Sequence, residues 1–314
     1  MKMNLIYELE QYIKQRRPLG ISDFDISDLG AGEYNQNFIV KTNETKLVLR
    51  VSVSQLSGAV EQLRHEYETL EYLNNYDIAP KPLYLDMDGF KYPLMFEEFI
   101  EGDQLISLEE NVLKSVGASI AEISNIPINQ GHPFEVRQVD YQADLKAHVS
   151  ILNNVELRDE YSSLYQQAKQ HLEQLLSELT HPPTTQSMFI RRDANPTNIM
   201  VTGNDIKWID WEIARVDDPT ITLASFVNEM LLYDVQKLGV EQRHMDIVIK
   251  QFKNDCPIVD FDDLLENRLK VERIGGLVWG IERMDNFFVS KQSEISRLEW
   301  YKVICEKSLD ALNN

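Results

Sequence analysis

The 314-residue chain has little cysteine, no long apolar run and a deficit of positive charge. Its two cysteines, Cys256 and Cys305, have no C-x-x-C spacing and no nearby histidine cluster, so they read as reduced structural thiols rather than a disulfide or zinc site. No stretch approaches the roughly 18 uninterrupted apolar residues of a membrane-spanning helix. The opening MKMNLIYELEQYIKQRR also lacks the apolar middle of a signal peptide. The expected setting is the cytoplasm, with no membrane partner. With 31 basic against 51 acidic residues, the net charge of -20 disfavours nucleic acid and anionic lipid. It suits either a small cationic substrate or an acidic surface that only aids solubility. Internal repeats, low-complexity tracts, a P-loop and a dinucleotide fingerprint are all missing.

What is present changes character near residue 100. Leu5, Leu9, Tyr12 and Ile13 repeat at helical spacing, which predicts a helix over 3–17. FDISDLGAGEYNQNFIVKTNETKLVLRVS alternates apolar and polar residues through two breaks, GAGEYNQ and TNET, the pattern of three antiparallel strands. Val60, Leu63, Tyr67, Leu70 and Leu73 predict a helix over 58–75, with Glu66 off its apolar stripe. PLYLDM and YPLMFEEF add two strands. The remainder reads as helices near 107–124, 140–153, 156–179, 220–237, 241–254, 260–288 and 292–312, interrupted by a short β-rich island at 189–212. The fold class is α+β.

That island, FIRRDANPTNIMVTGNDIKWIDWE, holds the candidates for chemistry: Asp193, Asn198 and Asp210. An Asp, an Asn five residues later and a second Asp beyond a strand and turn suit magnesium-assisted phosphoryl transfer. One carboxylate takes the proton of the attacking hydroxyl; an amide oxygen and the other carboxylate hold the metal. A lone Asp-x-x-x-x-Asn is equally a turn with self-bonding side chains. Gly30 and Gly32 form a candidate phosphate-covering loop, or a plain hairpin turn. LVLRVS follows and places Arg50 among apolar neighbours, as a strand-borne cation for the phosphates or a surface arginine. Glu66 is the chosen carboxylate partner for Arg50, ahead of Glu61 and Glu68.

LGAGEYNQNF, LVLRV, RHEYETLEYL, MFEEFIEG, RRDANPTNI and IDWEIA occur in the order, and at about the spacing, of the aminoglycoside phosphotransferase and choline kinase family, which the chain resembles from about residue 25 onward. The resemblance implies a protein-kinase-like bilobal fold. Residues 1–100 would be the ATP-binding lobe, with a hinge at about 96–101, and 101–314 the catalytic and substrate-binding lobe. It implies that Glu97, Glu98 and Phe99 help form the adenine-binding hinge. The family stretch H-G-D-x-x-x-x-N reads R-R-D-A-N-P-T-N here, so Asp193 and Asn198 match while Arg191 and Arg192 depart. Arg192 before the Asp resembles the H-R-D of protein kinases. Thr222 stands where the family generally has Asp. Trp211-Glu212 after Asp210 is similar to the choline and ethanolamine kinases, and RIGGLVWGIERMDNFF resembles the helix lining their ammonium pocket, with Trp279 displaced by one residue. An aromatic face binds such a cation through its quadrupole. On this basis Glu212 and Trp279 are substrate candidates.

The expected activity is that of an enzyme, an ATP- and magnesium-dependent kinase of a small cationic hydroxyl compound of choline or ethanolamine type. An aminoglycoside O-phosphotransferase is the alternative of the same chemistry. A nucleotide-binding pseudokinase acting as an interaction module is the alternative of another class. The chain is expected to be a monomer or homodimer.

Overall fold

Phe38, Val40, Leu47, Leu49 and Val51 alternate along neighbouring strands and are buried, so one sheet face supplies a continuous apolar surface. The computed structural model describes residues 2–31, 35–53, 62–156, 158–180, 185–234, 237–290 and 295–313. In chain order the first elements are α1 (Lys2–Arg16), β1 (Asp25–Ala31), β2 (Asn35–Lys41), β3 (Lys46–Ser52), α2 (Gln62–Leu73), β4 (Pro82–Asp86), β5 (Leu94–Glu98) and β6 (Asp103–Gln104). There follow α3 (Glu110–Ser124), α4 (Tyr141–Asn154), α5 (Ser162–Glu178), β7 (Met188–Ile190), β8 (Ile199–Thr202), β9 (Asp205–Trp208) and β10 (Arg215–Asp217). The chain ends with α6 (Ile221–Asn228), α7 (Gln242–Asp255), α8 (Phe261–Ser290) and α9 (Ile295–Asn313).

Two compact units result. One comprises Met1–Leu105, Asn129–Phe134 and Thr197–Ala214; the other comprises Ile106–Ile128, Glu135–Pro196 and Arg215–Asn314. In the first, an antiparallel sheet has the order β1-β2-β3-β5-β4, and Leu5, Leu9, Tyr12 and Ile13 of α1 join its core. β6, β8 and β9 make a second, smaller sheet. The pairing of residues 35–37 differs from the break that the sequence predicts at GAGEYNQ. Ala31 pairs with Gln36, and Gln36 pairs with Val51, so Asn35–Asn37 are strand.

The second unit is helical around Leu145, Leu172, Ile274, Leu277, Val278 and Ile281. α3 packs on α7 at Gly117, where a Cβ would meet the Val248 carbonyl oxygen at 2.6 Å. The helix expected over 220–237 is α only to Asn228 and continues as one π-helical turn, Glu229–Tyr233. Asp234 then turns left-handed at φ 37, and its carboxylate accepts the Leu238 and Gly239 N–H groups. β7 and β10 pair in this unit and deliver the chain into residues 191–196. Among the described residues no helix is long and apolar enough to cross a membrane.

Candidate active site

Arg50 sits within β3, paired with Asn37 of β2 and Met95 of β5, and is buried. Burial alone would drive the guanidinium toward neutrality. The carboxylates of Glu66, Asp210 and Glu97 outweigh it and hold Arg50 protonated. Its Nη2 lies 3.2 Å from Glu66 Oε2 and 2.8 Å from Asp210 Oδ1. Glu66 is only 1% exposed, so the buried face of α2 includes it, whereas Tyr67 of the expected apolar stripe is half-buried. The partner makes that burial tolerable. Glu66 Oε1 also accepts the Trp211 N–H at 3.1 Å. Burial pushes the Glu66 carboxyl upward while Arg50 pulls it back.

The β8–β9 hairpin brings the next residues together. Ile199 pairs with Trp208, and the Ile209 N–H donates to the Asn198 carbonyl at 3.0 Å, which sets Asn198 beside the approach to Asp210. Asp210 is left-handed at φ 68, a conformation uncommon for a non-glycine residue. Oxygens of Glu66, Asp210 and Glu212 lie within 4.8 Å of one another. Glu212, expected at the substrate, accepts the amides of Gln62 at 2.5 Å and Asn35 at 3.3 Å in this unit.

These oxygens are hard donors of the kind magnesium prefers. The donor set therefore fits a divalent cation. Buried Arg50 Nε has no hydrogen-bond partner among the described residues, a donor suited to phosphate.

Gly30 adopts φ 141 at a bulge in β1, where a side chain would be strained, while Gly32 lies outside the described residues. Glu97 is buried in β5; burial, opposed by Arg50, pushes its carboxyl up to about 7. Glu98 exchanges backbone contact with Lys81, whose N–H its Oε2 accepts at 3.3 Å. Phe99 carries the Lys46 ammonium 4.9 Å above its ring.

Asp193 belongs to the second unit and is left-handed at φ 57. Its loop is pinned by neighbours. The buried Arg191 guanidinium donates to the Asp193 carbonyl at 3.2 Å, and the Ala194 N–H donates to Ser225 Oγ at 3.2 Å. Thr222 Oγ1 donates to the Arg191 carbonyl at 2.8 Å and lies 3.2 Å from the Arg191 N–H, which it accepts. One hydroxyl thus ties both backbone groups of Arg191. Arg192 reaches Glu272 of α8 at 3.3 Å.

Sequence reasoning missed Glu229. It opens the π-helical turn and accepts the Asn195 amide at 3.4 Å. Burial first, then the carboxylates of Asp193 and Glu272, push its carboxyl up to about 8. An acid placed before the apolar run MLLY was the available signal, but the uninterrupted helical pattern concealed it. Trp279 packs against the helical core, edge-on to Tyr301 at 5.5 Å, and the Arg283 guanidinium lies 5.5 Å above its ring.

The fold is α+β and protein-kinase-like, with the character of a phosphotransferase. Residues 25–241 match the phosphotransferase enzyme family, and the chain belongs to that family. Solved structures of similar fold include choline kinase LicA from Streptococcus pneumoniae, at 16% identity and TM-score 0.67 over 96% of this chain and 99% of that one. A spectinomycin phosphotransferase in complex with ADP and spectinomycin aligns with TM-score 0.70 at 13% identity, covering 95% and 97%. A LicA homolog from Mycoplasma capricolum subsp. capricolum is 24% identical over 157 residues, which span 50% of this chain and 58% of that protein.

Proposed function

We propose that the chain is an ATP- and magnesium-dependent kinase that phosphorylates a hydroxyl of a small cation of choline or ethanolamine type. The observation that carries the cationic part is the Glu229 carboxyl, desolvated in the company of Asp193 and Glu272. An ammonium group brought beside the Glu229 carboxyl would favour its charged form. Asp193 orients the acceptor hydroxyl and takes its proton as the oxygen bonds to the γ-phosphorus and the bond to ADP breaks. Arg50 binds phosphate oxygens and Glu66 positions it. Glu97, Glu98 and Phe99 contribute to the adenine-binding edge, with Gly30 and Gly32 in the covering loop. Asn198 and Asp210 would hold magnesium, with Glu212 beside them; when bound, the metal neutralises phosphate charge.

The streptococcal choline kinase supports the choline reading, and the ADP and spectinomycin of the other neighbour support nucleotide binding and an aminoglycoside as second acceptor class. ADP release measured against choline, ethanolamine, spectinomycin, other aminoglycosides and simple sugars separates them. Stimulation by the small amines is expected. Stimulation by aminoglycosides alone would replace the acceptor, and nucleotide binding without turnover on any acceptor would favour an interaction module.

A further inference from the structure

Residues 210–212 are held from two elements of the first unit, α2 and β2. Gln62 and Glu66 lie one turn apart on α2 and so share a face of it. Glu66 accepts the Trp211 N–H at 3.1 Å and pairs with Arg50, which in turn holds Asp210. Gln62 Nε2 donates to Glu212 Oε2 at 2.5 Å. Asn35 stands two residues before Asn37, the strand partner of Arg50, so Asn35 and Arg50 lie on the same face of the sheet. Its Nδ2 donates to the same Glu212 Oε2 at 3.3 Å. Between the two acids, Trp211 is fully buried and its indole N–H donates to the Trp208 carbonyl at 2.7 Å, which anchors the backbone there.

Both amides are themselves buried, each only 7% exposed, and they meet on one oxygen of one carboxylate. What holds the three acids differs in kind. Arg50 sets positive charge against Glu66 and Asp210, whereas an amide fixes an oxygen without adding charge. Oxygens of Glu66, Asp210 and Glu212 gather within 4.8 Å, close enough for like charges to repel and for one cation among them to offset the repulsion. The cluster is open to solvent on one side, since Glu212 is half-buried and Asp210 keeps 29% side-chain exposure. Carboxylates that ligate metals are characteristically oriented by hydrogen bonds of this sort.

We propose that Asn35 and Gln62 are positioning residues for the divalent cation: they orient the Glu212 carboxylate so that it binds the ion together with Asp210. This rests on the magnesium-dependent kinase reading, but its test requires no turnover. Divalent manganese serves as the probe, its binding to the full chain followed by paramagnetic resonance of the free ion, with and without ADP.

In Gln62→Met, which keeps the length of the side chain and removes the donor, manganese affinity should fall about tenfold. ADP affinity measured without metal should hold. Asn35→Leu, which removes the longer of the two hydrogen bonds, should lose less. Glu212→Gln should itself bind manganese more weakly, and adding Gln62→Met to it should bring no further loss, a coupling that a merely structural role for Gln62 would not produce. On the wild-type chain, the side-chain amide resonances of Asn35 and Gln62 should shift as magnesium is added, a readout that needs no variant to fold. Unchanged manganese affinity in Gln62→Met, equal losses with and without Glu212→Gln, or amide resonances unmoved at magnesium saturation would overturn the proposal and leave the kinase reading. The predicted coupling without ADP release on any acceptor would leave the positioning role standing and remove the kinase reading. A wild-type chain that binds no manganese, with or without ADP, would overturn both.

Discussion

Arg50 and Arg268 are both buried arginines ringed by acids, one in each compact unit, and their surroundings differ in balance. Arg268 bridges Asp218 at 2.8 Å and Asp144 at 2.7 Å, lies 3.6 Å from Glu272 and stacks 4.9 Å over Tyr141. Arg192 shares Glu272, so the acids there are distributed over two guanidiniums. The arrangement joins α4, the turn after β10 and α8. Around Arg50, by contrast, Glu66, Asp210 and Glu97 act on a single guanidinium, with Glu212 close by. Negative charge is in surplus, and Asp210 keeps 29% side-chain exposure. A buried cluster closer to balance fastens elements; a larger surplus with an exposed member suits the cation proposed above.

The widest gap should appear when each arginine is removed. Arg268→Met leaves Asp218, itself fully buried, without its cation, and should cost about 3–5 kcal/mol in urea unfolding. Arg50→Met should cost about 1–2 kcal/mol, because Glu66 and Glu97 are already pushed toward their protonated forms, yet should weaken nucleotide binding about tenfold or more. Equal stability losses would erase the distinction.

The pH dependence sharpens it further. Glu97 and Glu229 rise from 4.5 to about 7 and about 8, so the folded chain holds these protons longer than the unfolded chain. Their contribution to stability is therefore present at low pH and lost as pH rises through those values. Asp144 runs the other way: burial raises it, but Arg268 brings it below its ordinary value, so its contribution is lost as pH falls. Melting profiles should show less of the decline between about pH 4.5 and 7 in Glu97→Gln and between about pH 4.5 and 8 in Glu229→Gln. The smallest effect belongs to Thr222→Val, which removes the hydroxyl serving both Arg191 backbone groups and should cost about 1 kcal/mol.

Much of this was legible in the sequence because period-2 and helical spacing set the strands and helices, Arg50 stood out as a charge among apolar residues, and Glu66, off the apolar stripe of its helix, was chosen as its partner. Thr222 was visible only as a departure; that its hydroxyl ties the Arg191 backbone depends on a contact 31 residues away. Glu229 was hidden for a similar reason: a π-helical turn leaves no periodic trace in its own segment.

The proposed phosphoryl transfer converges on Asp193. In Asp193→Asn, acceptor-dependent ADP release should fall by about a thousandfold or more while the nucleotide dissociation constant stays within about twofold. Undiminished turnover in that variant would contradict the role given to Asp193.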